Sequence, residues 1–98
     1  MARKLPLSRQ KEIIKGRLKE AQTLLEYLID VRWESMCELM WERMETVGFD
    51  EYGDDTFKLS SIDLEVEVAQ EIADAILYAA VQCEKAYLER LKELDKKR

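Results

Sequence analysis

Four side chains of one predicted helix have the types and spacing of a cation site. They stand at positions i, i+4, i+7 and i+11, and they are Glu67, Glu71, Asp74 and Tyr78. At roughly 100° per residue they fall within about 60° of arc, so they share one stripe of a helix. Almost all other residues from 66 to 81 are apolar, which is typical of a buried helix. Because a buried, isolated charge is costly, the pattern predicts that a divalent cation compensates these carboxylates.

A second acidic stripe precedes it in the chain. Its members follow one another at spacings of 4, 4 and 3, which places them on one helical face, and they are Glu34, Glu38, Glu42 and Glu45. Counted from the turn that would join the two helices, Glu42 and Glu71 lie roughly 9 and 13 Å along their helices. Glu38 and Asp74 lie deeper, at roughly 15 and 18 Å. If the stripes face each other, four or more carboxylates converge.

The chemistry of such a cluster is that of a hard cation. The chain contains no His, and carboxylate oxygens alone suit Mg²⁺ or Mn²⁺ rather than zinc. Such an ion neutralises phosphate charge and generates a hydroxide nucleophile, and a carboxylate free of the metal can act as general base. Two alternatives stay open: a buried ion pair of Glu71 and Asp74 with a neighbouring subunit, and a solvated helix face for Glu42 and Glu45.

The two acidic pairs match a family pattern. Residues 42–45 (Glu-Arg-Met-Glu) followed by residues 71–74 (Glu-Ile-Ala-Asp) resemble the ExxE…ExxD signature of the MazG-like, all-α nucleoside triphosphate pyrophosphohydrolases. The resemblance covers about residues 36–83. It implies that Mg²⁺ (or Mn²⁺) holds a nucleoside triphosphate while water cleaves between the α- and β-phosphates, in a homodimer or homotetramer. The implied metal ligands are Glu42, Glu45, Glu71 and Asp74, with Glu38 as an alternative, and the implied catalytic residues are Glu42 and Glu71.

Other residues near these pairs could contact the nucleotide. Trp41 and Tyr52 could stack on a base, and Lys58 could meet a phosphate. The hydroxyl of Tyr78 could hydrogen-bond a ligating carboxylate. Core or interface packing is the alternative for Trp41 and Trp33, and a solvated side chain is the alternative for Lys58.

Composition bounds the class of protein. The 98 residues are 47% hydrophobic and 38% charged, with one Pro and three Gly, which favours a single all-α domain of long helices. The net charge of −5 argues against nucleic acid as a partner. No apolar run suits a membrane span and no signal peptide is recognisable, so a cytoplasmic protein is expected. Cys37 and Cys83 are then expected to be buried, reduced thiols.

The expected elements form a long helical hairpin of two or three helices. Residues 1–7 are a tail, 8–95 a single all-α domain and 96–98 a basic end. Ser8 is the expected N-cap of a helical stretch over 9–47, which is either one helix or two with a kink near Asp30. Gly48 is expected to end that stretch.

The remainder is expected to be a loop and one long helix. A loop over 49–59 leads to a helix over about 62–94, capped by Ser60 or Ser61. A hairpin of this size leaves an apolar stripe exposed, so the sequence predicts assembly into an oligomeric helical bundle. The same scaffold could serve as a non-catalytic protein-interaction module, which is the alternative function.

Overall fold

Every regular element in the described part of the chain is helical. The computed structural model describes residues 4–97, apart from the side chain of Tyr52. In chain order the elements are α1 (Leu7–Asp30), α2 (Trp33–Arg43), a π-helix (Met44–Gly48), α3 (Phe49–Tyr52), a 3-10 helix (Asp55–Lys58) and α4 (Ser61–Lys96). The prediction of an all-α fold is therefore confirmed.

The stretch before Gly48 contains two α-helices, α1 and α2, rather than one. The amides of Val31 and Arg32 both donate to the carbonyl of Tyr27, at 2.8 and 3.3 Å, so the regular hydrogen-bond ladder stops there. Arg32 leaves the helical region, with φ −110° and ψ 26°. The kink left open near Asp30 is thus a real break, although neither Pro nor Gly enforces it.

Gly53, rather than Gly48, ends the helical stretch that precedes the 3-10 helix. The prediction that Gly48 ends the helical stretch over 9–47 is wrong, because Gly48 has helical φ and ψ (−62° and −48°) and the chain continues into α3. Gly53 ends it with φ 58°, a conformation that glycine adopts without strain. The predicted loop over 49–59 is accordingly mostly helical, since eight of its eleven residues belong to α3 or the 3-10 helix.

The two longest helices, α1 and α4, differ in how their first turns are capped. The prediction of Ser8 as N-cap is wrong: α1 starts at Leu7, and the amide of Gln10 donates to the carbonyl of Pro6 at 3.0 Å. For α4 the serine cap is confirmed. The Oγ of Ser60 accepts from the amide of Asp63 at 3.1 Å, which satisfies one of the free donors of the first turn.

The residues form two compact units, of which the first combines α1 with the C-terminal part of α4. It runs to Leu25 and resumes at Asp74. Its core consists of Ala21, Ala79 and Ala80, against which Ile14, Leu24 and Leu25 pack. Because Ala21 and Ala80 are completely buried, the two helices meet through their smallest side chains.

An arginine joins the two helices of the first unit. Arg17 on α1 donates from Nε to Glu84 on α4 at 2.9 Å, and its guanidinium carbon lies 4.4 Å from the centre of the Tyr87 ring. The hydrogen bond to Glu84 and, as the second cause, the hydrogen bond to Glu20 raise the pKa of Arg17 above its ordinary value. The contact fixes the register of α1 against α4.

The alanine contact predicts a stability effect. Ala80→Leu should lower the free energy of unfolding by about 1–3 kcal/mol, because the added atoms force a packed site apart. Circular dichroism should then show a melting temperature lower by about 5–20 °C. The control is Gln82→Leu on the exposed surface of α4, which should change stability by less than about 0.5 kcal/mol. Equal melting temperatures for the two variants would contradict this packing.

The second unit, Glu26–Ala73, has no comparable core. None of its residues whose side chains are described is buried. The expectation that residues 66–81 of α4 are buried is wrong for the part in this unit: in the single chain Val68 is 58% and Ile72 55% exposed. It is right for Ala79 and Ala80, which are buried in the first unit.

Both cysteine thiols are only partly buried. Cys37 and Cys83 are free, and both are half-buried rather than buried as expected. Among the described residues, no helix combines the length and the hydrophobicity that crossing a membrane requires.

Candidate functional site

The first acidic pair lies where α2 passes into the π-helix. Glu42 is in the last turn of α2 and Glu45 is in the π-helix. Their side chains are exposed, as is that of Glu38 one turn earlier on α2. None of the three forms an ion pair with a Lys or Arg that the structure describes. These carboxylates are therefore accessible and carry no counter-charge from the cationic residues within 4–97.

The second acidic stripe lies along α4. All its members belong to that helix and all are exposed: Glu67, Glu71, Asp74 and Tyr78. The buried Ala80 lies about 180° round the helix from Glu71. The stripe therefore lies on the side of α4 opposite to its alanine contact. Here too no described Lys or Arg pairs with Glu71 or Asp74.

The carboxylates of Glu71 and Asp74 are exposed, so burial does not force them to be compensated. The prediction that Glu71 and Asp74 lie on a buried helix is wrong for the single chain, where water solvates both carboxylates. The cost of burying a charge therefore does not by itself demand a cation there. What remains is a set of exposed carboxylate oxygens without a described cationic partner, and these suit Mg²⁺, which is commonly held by one or two carboxylates together with water and substrate phosphates.

An open groove in the second unit contains part of the stripe. The groove lies between the 3-10 helix and the first turns of α4. Its volume of about 450 Å³ is in the range of small-molecule sites. The groove is lined by Asp55, Thr56, Leu59, Leu64, Glu67 and Glu71. Sequence reasoning missed Asp55 and Thr56, because it treated residues 49–59 as a loop. The serine cap at Ser60 was the available signal that acidic residues just before it meet the start of α4.

The two acidic pairs do not form one cluster in the single chain. Among the residues that the structure describes, no group of three or more Asp, Glu or Cys side chains is placed to hold a metal ion. The structure thus brings Glu67 and Glu71 to one groove and leaves the first pair, Glu42 and Glu45, outside it. The assignment of Glu38, Glu42, Glu45, Glu71 and Asp74 as metal ligands stays a prediction.

The candidate nucleotide contacts are at the surface. Trp41 is 54% exposed, so its core-packing alternative does not hold within one chain, and the same is true of Trp33. Lys58 lies 3.3 Å from Asp54 and 3.7 Å from Asp55, both on its own short segment. Tyr78 is exposed. Tyr52 ends α3, and its side chain lies outside the described part of the structure.

Comparison with known proteins found no matching family model, no matching curated protein and no matching solved structure.

Proposed function

We propose that this protein is a Mg²⁺-dependent (or Mn²⁺-dependent) nucleotide pyrophosphohydrolase. It cleaves a (deoxy)nucleoside triphosphate to the monophosphate and pyrophosphate, as a cytoplasmic homodimer or homotetramer. The observation that supports the proposal is the pair of acidic motifs, 42–45 and 71–74, each on a helix. Their carboxylates are exposed and free of described cationic partners, as ligands for a metal–phosphate complex need to be.

Each carboxylate has a role in this proposal. Glu42, Glu45, Glu71 and Asp74 would hold the ion, with Glu38 as the alternative on α2, and this requires that assembly bring together the two pairs that are separate in the single chain. Mg²⁺, when held there, would neutralise phosphate charge and make a bound water molecule more acidic. Glu42 or Glu71, when not fully engaged as a ligand, accepts the proton of the attacking water. The water oxygen would then form a new bond to phosphorus as the P–O bond between the α- and β-phosphates breaks, which releases the monophosphate and pyrophosphate.

The remaining contacts orient the nucleotide. Trp41 and Tyr52 offer aromatic faces to the base, and Lys58 offers a charge to a phosphate once it leaves Asp54. The hydroxyl of Tyr78 lies on the same stripe as Asp74 and hydrogen-bonds a ligating carboxylate.

The exposed surface supports assembly into an oligomer. Large apolar side chains of the second unit are more than half exposed in the single chain, among them Trp33, Val66, Val68 and Ile72. Extended apolar surface of this kind commonly marks a protein–protein contact. Assembly would also remove water from apolar residues that flank the acidic stripe, such as Val68 and Ile72.

The direct test is pyrophosphate release. A panel of ribo- and deoxyribonucleoside triphosphates is incubated with the purified protein and Mg²⁺, and nucleotide products are separated by ion-exchange chromatography. We expect monophosphate and pyrophosphate in equal amounts, with no diphosphate, and no reaction in the presence of a chelator. Absence of hydrolysis across the panel would contradict the proposal.

The second candidate is a non-catalytic helical interaction module. It is favoured by the small core, since the buried residues among those described are three alanines. The two candidates differ in their response to Mg²⁺. A metal that binds the native state at 100 times its dissociation constant adds about 2.7 kcal/mol of stability, which raises the melting temperature by at least about 10 °C. We expect this rise, whereas an unchanged melting temperature would favour the interaction module.

A further inference from the structure

Charge is divided unevenly between the two units. The first unit contains 13 Lys and Arg against 7 Asp and Glu, which gives it a net charge of +6. The second unit contains 3 Lys and Arg against 14 Asp and Glu, a net charge of −11, and together the two account for the −5 of the whole chain. Because opposite charges on facing surfaces favour association and like charges oppose it, the acidic second unit of one copy is attracted to the basic first unit of another.

One apolar seam of α4 is partly covered in the first unit and bare in the second. Its members recur at alternating spacings of 4 and 3, as in a coiled coil, and they are Ile62, Val66, Ala69, Ala73, Ile76, Ala80, Cys83 and Tyr87. Ala80 is completely buried in the first unit, whereas the members in the second unit, from Ile62 to Ala73, are all exposed. The seam thus continues beyond the contact that buries Ala80, and its N-terminal part faces water in the single chain.

An apolar groove, the α1–α4 groove, lies between these two helices in the first unit and has a volume of about 320 Å³. Its apolar lining is formed by Leu5, Ile13, Ile14, Leu77, Val81 and Leu88. It extends about 16 Å along α4, from Leu77 to Leu88, and the bare part of the seam, from Ile62 to Ala73, has the same length. The groove is therefore long enough to hold that part of a second α4.

Basic side chains follow the α4 side of the α1–α4 groove. Lys85 lines it, and Lys92 lies on the same face of the helix two turns later. Both are exposed, and neither forms an ion pair with an Asp or Glu among residues 4–97. On the bare part of α4, Asp63 and Glu67 each follow a seam residue by one position and are exposed as well. The borders of the groove and of the bare seam thus carry opposite charges.

We propose that residues 62–73 of α4 dock in the α1–α4 groove of a second copy of the chain. Ile62 and Val66 enter the groove, as the apolar face of an amphipathic helix does when it binds another protein. The acidic border of the helix meets the basic rim of the groove. In a twofold dimer each copy supplies one helix and one groove. This contact accounts for the oligomer of the proposed function, on which the inference rests, and it does not depend on hydrolysis.

Charge reversal on either surface should prevent self-association, and mixing the two variants should restore it. The groove variant combines Lys85→Glu with Lys92→Glu, and the helix variant combines Asp63→Lys with Glu67→Lys. Alone, each variant brings like charges together, so its dissociation constant from sedimentation velocity should rise at least about 100-fold. In an equimolar mixture every contact regains opposite charges, so the mixture should assemble as the wild type does. Variants that assemble alone, or a mixture of folded variants that stays monomeric, would overturn the inference.

The matched control reverses two lysines elsewhere on the first unit. Lys11 and Lys15 are exposed on α1, and each lies about 160° round that helix from Ile13 of the groove. Lys11→Glu with Lys15→Glu changes the net charge by the same amount as the groove variant. It should assemble with a dissociation constant within about twofold of the wild type. A loss as large as that of the groove variant would show that overall charge, rather than the groove, governs assembly.

The wild type alone provides a test that needs no substitution, and it decides the question if a variant does not fold. Salt screens the attraction between exposed opposite charges. Raising NaCl from about 0.05 to about 0.5 M should therefore weaken self-association about 10-fold. Stronger association at high salt would mean that the acidic parts of two α4 helices face each other, and it would overturn the inference, as would association that salt leaves unchanged.

The outcomes for assembly and for hydrolysis separate the two proposals. A wild type that remains monomeric at low salt overturns both the inference and the oligomer of the proposed function, and it leaves the two surfaces to a different partner. A mixture of variants that assembles in a protein that releases no pyrophosphate supports the inference and overturns the hydrolysis. A wild type that hydrolyses a nucleotide, with charge-reversed variants that assemble like it, overturns the inference alone.

Discussion

Glu71→Gln should reduce the rate of pyrophosphate release at least about 100-fold, the lower range for loss of a catalytic acid–base group. The amide has the shape of the carboxylate but lacks its charge, so it is a weak ligand for Mg²⁺ and a poor proton acceptor. Because Glu71 is exposed and forms no ion pair with a described residue, the substitution should not disturb the fold. Initial rates at saturating Mg²⁺, together with the circular dichroism spectrum, test both statements.

The matched control is on the same helix. Glu65 is exposed on α4 and has no described ion-pair partner, and six residues of helix place it about 120° away from Glu71. Glu65→Gln removes the same charge from the chain, so it should leave the rate within about twofold, as surface changes away from a site do. If both variants retain full activity, Glu71 is not part of the catalytic site. If both lose activity equally, the loss reflects overall charge rather than the acidic stripe.

The ends of α4 were predictable from the sequence, whereas the start of α1 was not, since Ser8 was the expected N-cap and the helix begins at Leu7. The last helix was expected over 62–94 and runs from Ser61 to Lys96, because a serine cap precedes it and its apolar pattern continues without Pro or Gly. The choice between Gly48 and Gly53 was not predictable. Both are good C-terminal signals, and only the backbone conformation, helical at one and φ 58° at the other, distinguishes them.

The candidate site was predictable in outline only. Spacing alone places Glu67, Glu71, Asp74 and Tyr78 on one face of α4, and the structure has that helix. Spacing does not say what covers a face, because burial depends on contacts distant in sequence or in another chain. For this reason the burial of Glu71 and Asp74 was mispredicted for the single chain. The π-helix over residues 44–48 had no sequence signal, since these residues fit an ordinary α-helix.

Removal of apolar surface from α4 should weaken self-association at least about 100-fold. The test variant combines Val68→Gln with Ile72→Gln, one turn apart and more than half exposed in the single chain. Burial of each such side chain contributes about 1.5–3 kcal/mol, and each 1.4 kcal/mol is a factor of about ten in the dissociation constant. Glutamine preserves helix propensity, so the helix itself should persist. Sedimentation velocity over a range of protein concentrations measures the dissociation constant.

A composition-matched variant of the same helix provides the control. Exchange of Glu65 and Gln70 (Glu65→Gln with Gln70→Glu) alters two exposed polar positions of α4 and keeps the net charge at −5. This variant should sediment like the wild type. A wild type that remains monomeric at high concentration would contradict the assembly outright, and a Val68/Ile72 variant that assembles normally would place the interface on another surface. Where assembly and hydrolysis are lost together in that variant, the acidic stripe depends on a second chain to become a working site, which would explain why one chain leaves its carboxylates in water.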